Sequence, residues 1–230
     1  MNNIIQTKEP AYQRLVEINQ HIKGLCSGIG RDFNSVNIVA VSKSFSKKEI
    51  LPLLKAGHKI YGENKVQEAV AKWTDLKVSW PKTELRMIGR LQSNKALPAL
   101  SLFDVIETVD RESLVVSIKK AIEKLSNRTK IPKFLMQINI GEEPQKGGIK
   151  PNEASGFLEM CRKDYGIDIQ GVMGISPQFK DPEPYFGLMA NFALKYNLRE
   201  ISMGMSQDYE AAVEIGASHV RIGTAIFGKR

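Results

Sequence analysis

The sequence predicts an α/β fold, a single closed (β/α)8 barrel of the TIM type over residues 1–230, and three observations predict it. Short apolar runs of strand length alternate with helical stretches about eight times along the chain, the pattern of a parallel sheet with crossover helices. The runs are nearly continuous in apolar residues, as in Val36-Asn-Ile-Val-Ala-Val41, which suits strands covered on both faces. Eight such units in 230 residues, without a second compositional block, fit a closed barrel better than an open doubly wound sheet.

In chain order, Leu15, Ile18, Ile22 and Leu25 fall at helical spacing, and Gly28 and Gly30 stop that N-terminal helix. A strand over Val36–Lys43 follows, then a helix opened by a capping box of Ser46 with Glu49 and closed by Gly57. A strand near Lys59–Gly62 precedes a helix over Lys65–Leu76. A strand around Leu85–Ile88 precedes a short helix that Pro98 is expected to cut or kink. Phe103–Val109 reads as a strand, with a helix from Asp110 towards Leu125. Phe134–Ile140 is the fifth strand, and Pro151 suits the first turn of the next helix. Ile167–Ile175 contains a strand, and Asp181-Pro182 opens a helix towards Tyr196. Strands at Glu200–Met203 and His219–Ile222 finish the ring, with a helix between them that begins after Ser206 and ends at Gly216. The chain stops soon after the eighth strand, so the additional N-terminal helix is expected to cover the place of a final one.

Composition sets the class. The chain is 42% hydrophobic and 25% charged, as soluble globular proteins are. The N-terminus lacks a signal-like apolar core and no run is long enough to span a bilayer, so the expected compartment is the cytoplasm. Cys26 and Cys161 form no metal-ligand spacing and are expected as reduced thiols. The net charge of +8 is spread over scattered groups, Lys47-Lys48, Lys119-Lys120, Arg128 with Lys130 and Lys133, Arg162-Lys163 and Lys229-Arg230, with no aromatic platform among them. Solvated helix faces account for them, and no nucleic-acid partner is expected.

Chemistry in such a barrel sits at the C-terminal ends of the strands. Those corners read Ser42-Lys43, Gly62-Glu63-Asn64, Gly89 to Lys95, Asn139, Gly174-Ile-Ser176, Gly204-Met-Ser206 and Arg221-Ile-Gly-Thr224. The last two present Ser206, Gly223 and Thr224, and loops after the final two strands of a barrel commonly hold phosphate. The plainer reading is that Ser206 caps its helix and Gly223 turns the chain. Lys43 ends an apolar strand, where an amine loses part of its protonation and attacks aldehydes; otherwise it snorkels from the mouth. Arg221, between Val220 and Ile222, needs an acceptor, either a carboxylate such as Glu63 or Glu107 or a ligand's ring nitrogen or phosphate. Amine, phosphate corner and arginine together suit a phosphorylated aldehyde such as pyridoxal 5′-phosphate (PLP), as one reading among several.

Seven segments then carry a resemblance: VAVSKSFS (39–46), YGENKVQEA (61–69), IGRLQSNK (88–95), QINIGEEPQKGGI (137–149), GVMGIS (171–176), SMGMSQDYEAAVEIGA (202–217) and VRIGTAIFG (220–228). Together, over nearly the whole chain and in the family's order, they resemble the pyridoxal-phosphate homeostasis proteins. The resemblance implies a barrel like the N-terminal domain of alanine racemase, the fold of type III PLP proteins. It implies that Lys43 carries the cofactor as a covalent aldimine, that Asn64 lies near it, that Arg221 faces the pyridine nitrogen, and that Ser206, Gly223 and Thr224 bind the phosphate. It implies a monomer that holds, releases or delivers PLP within the cell, with transient contact to PLP-dependent apoenzymes. Arg86, Arg90 and Gly174 depart from the family pattern, and the departures are expected to touch contacts at the barrel rim.

An arginine at the ring nitrogen disfavours its protonation and weakens the ring as an electron sink, so strong catalysis is not expected and no residue is assigned a catalytic role. The alternative is a racemase-like enzyme. It would need a second base on the opposite face of the cofactor, which related racemases take from an additional C-terminal domain, and this chain ends at Arg230. A Schiff-base aldolase on a phosphosugar would leave Arg221 without a distinctive task. His21 and His58 are expected at the surface and His219 at the end of the barrel away from the mouth. Tyr209 either contacts the site or packs on its helix, and Glu142–Gly148 forms a polar loop, either a lid or simply mobile. No metal site is expected.

Overall fold

The computed structural model describes residues 9–125 and 130–228. Of the basic groups named above, Arg128, Lys229 and Arg230 lie outside them. Eight parallel strands, β1 (Asn37–Val41), β2 (Ile60–Glu63), β3 (Glu84–Met87), β4 (Val105–Val109), β5 (Lys133–Ile138), β6 (Ile169–Gly174), β7 (Glu200–Met205) and β8 (His219–Ile222), close into a ring in chain order. The seam is β1 against β8, with Ile38 opposite Val220 and Ala40 opposite Ile222.

Helices surround the ring: α1 (Pro10–Gly28), α2 (Lys47–Lys55), α3 (Val66–Ser79), α4 (Ala96–Leu102), α5 (Glu112–Lys124), α6 (Ala154–Lys163), α7 (Glu183–Lys195), α8 (Tyr209–Ile215) and α9 (Thr224–Phe227). The predicted capping box forms, with the Glu49 carboxylate accepting from the Ser46 N–H at 2.7 Å. Pro98 does not break α4. It stands in the first turn, where its missing N–H has no intrahelical partner to lose. Ser206 does not cap α8 either, because Asp208 occupies the N-cap position. Since α9 is only four residues long, α1 covers the seam beside it, burying Leu15, Ile18, Ile22 and Cys26 and donating from Arg14 Nε to the Ile226 carbonyl at 2.6 Å.

Both cysteines are buried and free, and burial raises the Cys161 thiol to about 12. Among the described residues no helix is long and apolar enough to cross a membrane.

The interior of the ring departs from an all-apolar core. Arg86, expected near the rim, is fully buried inside it and binds Glu107 at 2.5 Å, Glu84 at 2.6 Å and Glu200 at 2.6 Å; Glu200 also takes Lys133 at 2.6 Å. Burial by itself would lower the Arg86 pKa, but the three carboxylates outweigh it and raise it. Burial would likewise raise Glu200, and Arg86 with Lys133 brings it down to about 2.

Two histidines are held neutral. His219 is buried beside this network, and burial followed by the Arg86 charge lowers it to about 4. His58 is half-buried rather than open to solvent: its Nε2–H donates to the Ile60 carbonyl at 2.9 Å, its ring meets Tyr61 edge-on, and desolvation lowers it to about 4. Since both lie below the ordinary 6.5, the unfolded chain binds more protons as pH falls through that interval. Stability is therefore complete above 6.5 and lost progressively towards 4, by on the order of 3 kcal/mol for each histidine. Glu200, depressed to about 2, extends the loss below 4.5. Urea unfolding between neutrality and mild acid should show this slope, and His58→Gln should flatten it; a flat wild-type profile would contradict the assignment.

Candidate functional site

The site is built from strand ends, beginning at β1. That strand stops at Val41, so Lys43 stands two residues beyond it in a tight turn rather than on the strand. Ser44 follows with φ of 65°, a left-handed conformation that costs a side chain energy unless its surroundings hold it. They do. Ser42 Oγ donates to Glu63 Oε1 at 2.6 Å, Lys72 Nζ donates to the Ser42 carbonyl at 2.8 Å, and the Ser44 N–H donates to Glu68 Oε1 at 2.6 Å. Glu63 is itself buried and takes Lys72 and the Trp73 indole N–H, each at 2.9 Å. The turn bearing Lys43 is thus gripped on both sides by β2 and α3.

The same corner of β2 delivers Asn64. Gly89, after β3, lies against it so closely that a Cβ there would fall 2.3 Å from the Asn64 carbonyl oxygen. The IGR corner therefore requires glycine for packing, which keeps Asn64 at the mouth.

Across the seam, β7 leaves through Gly204, whose φ is 85° and whose Cβ would meet that of Ala212 at 2.5 Å. The turn that follows is braced by Asp208, which accepts from the Met205 N–H at 2.6 Å and from Ser176 Oγ at 2.5 Å. Ser206 then reaches the end of β8, its Oγ accepting from the Ala225 N–H at 3.4 Å, so the Ser206 and Gly223-Thr224 corners join. Arg221 is buried on β8; Nη1 donates to Ser202 Oγ and Nη2 to the Gly174 carbonyl, each at 2.8 Å. Burial lowers its pKa, opposed by the charges of Glu107 and Asp208. It pairs directly with neither Glu63 nor Glu107. Glu63 belongs to the clamp under Lys43, while Glu107 is reached through Ser202.

All six residues singled out from the sequence, Lys43, Asn64, Ser206, Arg221, Gly223 and Thr224, line one cavity of about 860 Å³ at the C-terminal mouth of the barrel. That is the size of a small-molecule or cofactor pocket. Phe45, stacked on Phe227 with ring centroids 4.6 Å apart, contributes to its wall. An amine, an arginine and a Ser/Gly/Thr corner around one hollow can bind a phosphorylated aldehyde. Among the described residues no group of three or more potential ligands could hold a metal ion.

Other residues separate from the site. Tyr209 packs on α1, sharing a 2.8 Å hydrogen bond with His21. Asn139 ties the Glu142–Gly148 loop down through the Glu143 and Lys146 carbonyls, and Lys146 reaches the Ser176 carbonyl at 3.0 Å. Sequence reasoning missed Glu68, Lys72 and Trp73. Lys72 and Glu68 stand four apart on the helix face that also carries Ala69, Trp73 and Leu76, and that shared face was the available signal.

The family model described as alanine racemase, N-terminal domain, matches residues 21–230. A protein of Aquifex aeolicus named pyridoxal phosphate homeostasis protein is 34% identical, over 96% of this chain and 98% of its own. PipY of Synechococcus elongatus, in its structure without PLP, is 31% identical with a TM-score of 0.82, covering 95% of this chain and all of that one. Its PLP-bound structure superposes with a TM-score of 0.74 over 90% and 99% of the two chains.

Proposed function

The chain belongs to the family of pyridoxal phosphate homeostasis proteins, and on that premise we propose that it binds pyridoxal 5′-phosphate in the cavity at the barrel mouth and buffers its supply. The observation that carries the proposal is the convergence of Lys43, Asn64, Ser206, Arg221, Gly223 and Thr224 on that one cavity. Its size and its donors fit the cofactor: an amine for the aldehyde, hydroxyl and backbone donors for the phosphate, a guanidinium for the ring nitrogen. Bound, the cofactor supplies an aldehyde and an electron-withdrawing ring.

In this reading the Lys43 amine condenses with the aldehyde as a Schiff base and releases one water. Ser206, Gly223 and Thr224 bind the phosphate, joined as they are across the β7 and β8 corners. Arg221 donates a hydrogen bond to the ring nitrogen without protonating it, so the bound cofactor remains a weak electron sink. A cofactor held in this way is stored, released or passed on rather than put to strong catalytic use. The reading includes a one-domain monomer working in the cytoplasm, with PLP-dependent apoenzymes as transient recipients.

Borohydride reduction of the PLP-loaded protein followed by peptide mass mapping tests it. The expected result is a visible chromophore that reduction bleaches and a pyridoxyl adduct on the peptide containing Lys43. An adduct confined to other lysines, or no chromophore after PLP is added, would refute the assignment.

A further inference from the structure

We propose that Glu107, acting through Ser202, positions Arg221 at the floor of the cavity and supplies its counter-charge there, an inference that rests on the reading of Arg221 given above. Three contacts form an unbroken relay. Arg221 Nη1 donates to Ser202 Oγ at 2.8 Å, Ser202 Oγ donates to Glu107 Oε2 at 2.7 Å, and Arg86 Nε donates to Glu107 Oε1 at 2.5 Å. Arg86, Glu107 and Ser202 are 0% exposed.

The direction of each bond is fixed by chemistry. A guanidinium only donates and a carboxylate only accepts, so the Ser202 hydroxyl must give its single proton to Glu107 and offer a lone pair to Arg221. Glu107 cannot swing away, because its other oxygen is held by Arg86, which Glu84 and Glu200 hold in turn. The Gly174 carbonyl fixes the second arm of Arg221.

The relay also closes a charge balance. Two buried guanidiniums converge on Glu107, Arg86 directly and Arg221 through Ser202, while Glu200 takes another arm of Arg86. Without Glu107, Arg221 would lose the larger of the two carboxylate charges that favour its cation and keep that of Asp208, and a poorly matched buried charge is costly. With it, the cofactor can leave without stranding a charge in the barrel, which is what reversible holding requires. Glu107 and Ser202 are therefore positioning residues; neither lines the cavity.

The test compares Ser202→Ala, Glu107→Gln and Glu84→Gln in the full-length protein by PLP titration and by the visible spectrum of the bound form. Ser202→Ala cuts the relay and keeps the Arg86–Glu107 pair. It should weaken PLP binding about tenfold and shift the visible band. Glu107→Gln should act in the same direction, and Glu84→Gln, which loosens Arg86 on the side away from Glu107, should leave affinity and band unchanged. Wild-type affinity and band in Ser202→Ala, with Lys43 still modified by borohydride, would overturn the relay while the cofactor reading stood.

A second readout needs no cofactor. Rotation of the Arg221 guanidinium in the ligand-free protein, assigned by the NMR signals lost in Arg221→Lys, should be slow in the wild type and fast in Ser202→Ala. Equal rates would overturn the proposal. If Lys43 carried no adduct in any of these proteins the cofactor reading would fail, and this measurement would still decide whether Glu107 restrains Arg221. Should Glu107→Gln not fold, Ser202→Ala carries the test alone.

Discussion

Replacing Arg86 by leucine is expected to lower the free energy of unfolding by about 3–5 kcal/mol, the cost of removing one partner from a buried ionic cluster. The loss comes from what the substitution leaves behind. Glu107 would keep Ser202, and Glu200 would keep Lys133 with His219 at 3.8 Å, but both would lose the guanidinium that binds them directly. Glu84, 31% exposed at its side chain, can turn to solvent, so Glu84→Gln should cost under about 1 kcal/mol. Adding Glu107→Leu to Arg86→Leu should recover part of the loss, since an apolar pair replaces an ion pair better than it replaces half of one. Urea unfolding of the three variants measures all of this, and a cost below about 1 kcal/mol for Arg86→Leu would show that the cluster contributes little.

The second large effect is on binding. Lys43→Ala should abolish covalent attachment of PLP, read as complete loss of the borohydride-stable adduct, while thermal unfolding of the ligand-free protein shifts by only a few degrees. The separation follows from position. Lys43 stands in a turn beyond β1, and hydrogen bonds of Ser42, Ser44, Glu63, Glu68 and Lys72 that do not involve the Lys43 amine hold that turn. An alanine variant that did not fold would make Lys43 structural. A mirror-image experiment sharpens the contrast: Glu68→Gln weakens the hold on Ser44 and should slow capture of PLP while leaving the Lys43 adduct chemically possible.

The barrel was legible because parallel strands covered on both faces leave apolar runs, and eight runs punctuated by helices admit few topologies. The mouth was legible because its residues are polar breaks at the ends of those runs; Ser206, Gly223 and Thr224 stand at such breaks, although their corners alone left a helix cap and a chain turn as the plainer reading. The interior was not. Arg86 sits in a strand of four residues, and nothing in Glu84-Leu-Arg-Met87 tells whether the guanidinium points to a helix or to the barrel axis. That depends on the register with β2 and β4, which the chain fixes only when the ring closes. Glu107 was open to view as a possible acceptor for Arg221, but its pairing with Arg86 and that of Glu200 are hidden for the same reason, since the partners lie 21 and 114 positions apart in sequence. Asp208 takes the N-cap position of α8 without a side-chain cap bond, because its carboxylate holds Met205 and Ser176 instead, a tertiary demand that local capping preference does not contain.

The seam between β1 and β8 also bears on how the protein comes into being. Every other strand pairs with its neighbour in the chain, so seven of the eight pairings can form as each unit is completed during synthesis. The eighth joins Asn37 to His219 and Ile38 to Val220, the longest-range pairing in the molecule and the slowest to find by diffusion. Until then the first strand keeps one open edge, and Lys43 and Arg221 belong to opposite rims of an unfinished ring. The cavity they share comes into existence at closure and not before. A ligand that touches both the Lys43 and Arg221 corners favours the closed ring over any open form by mass action.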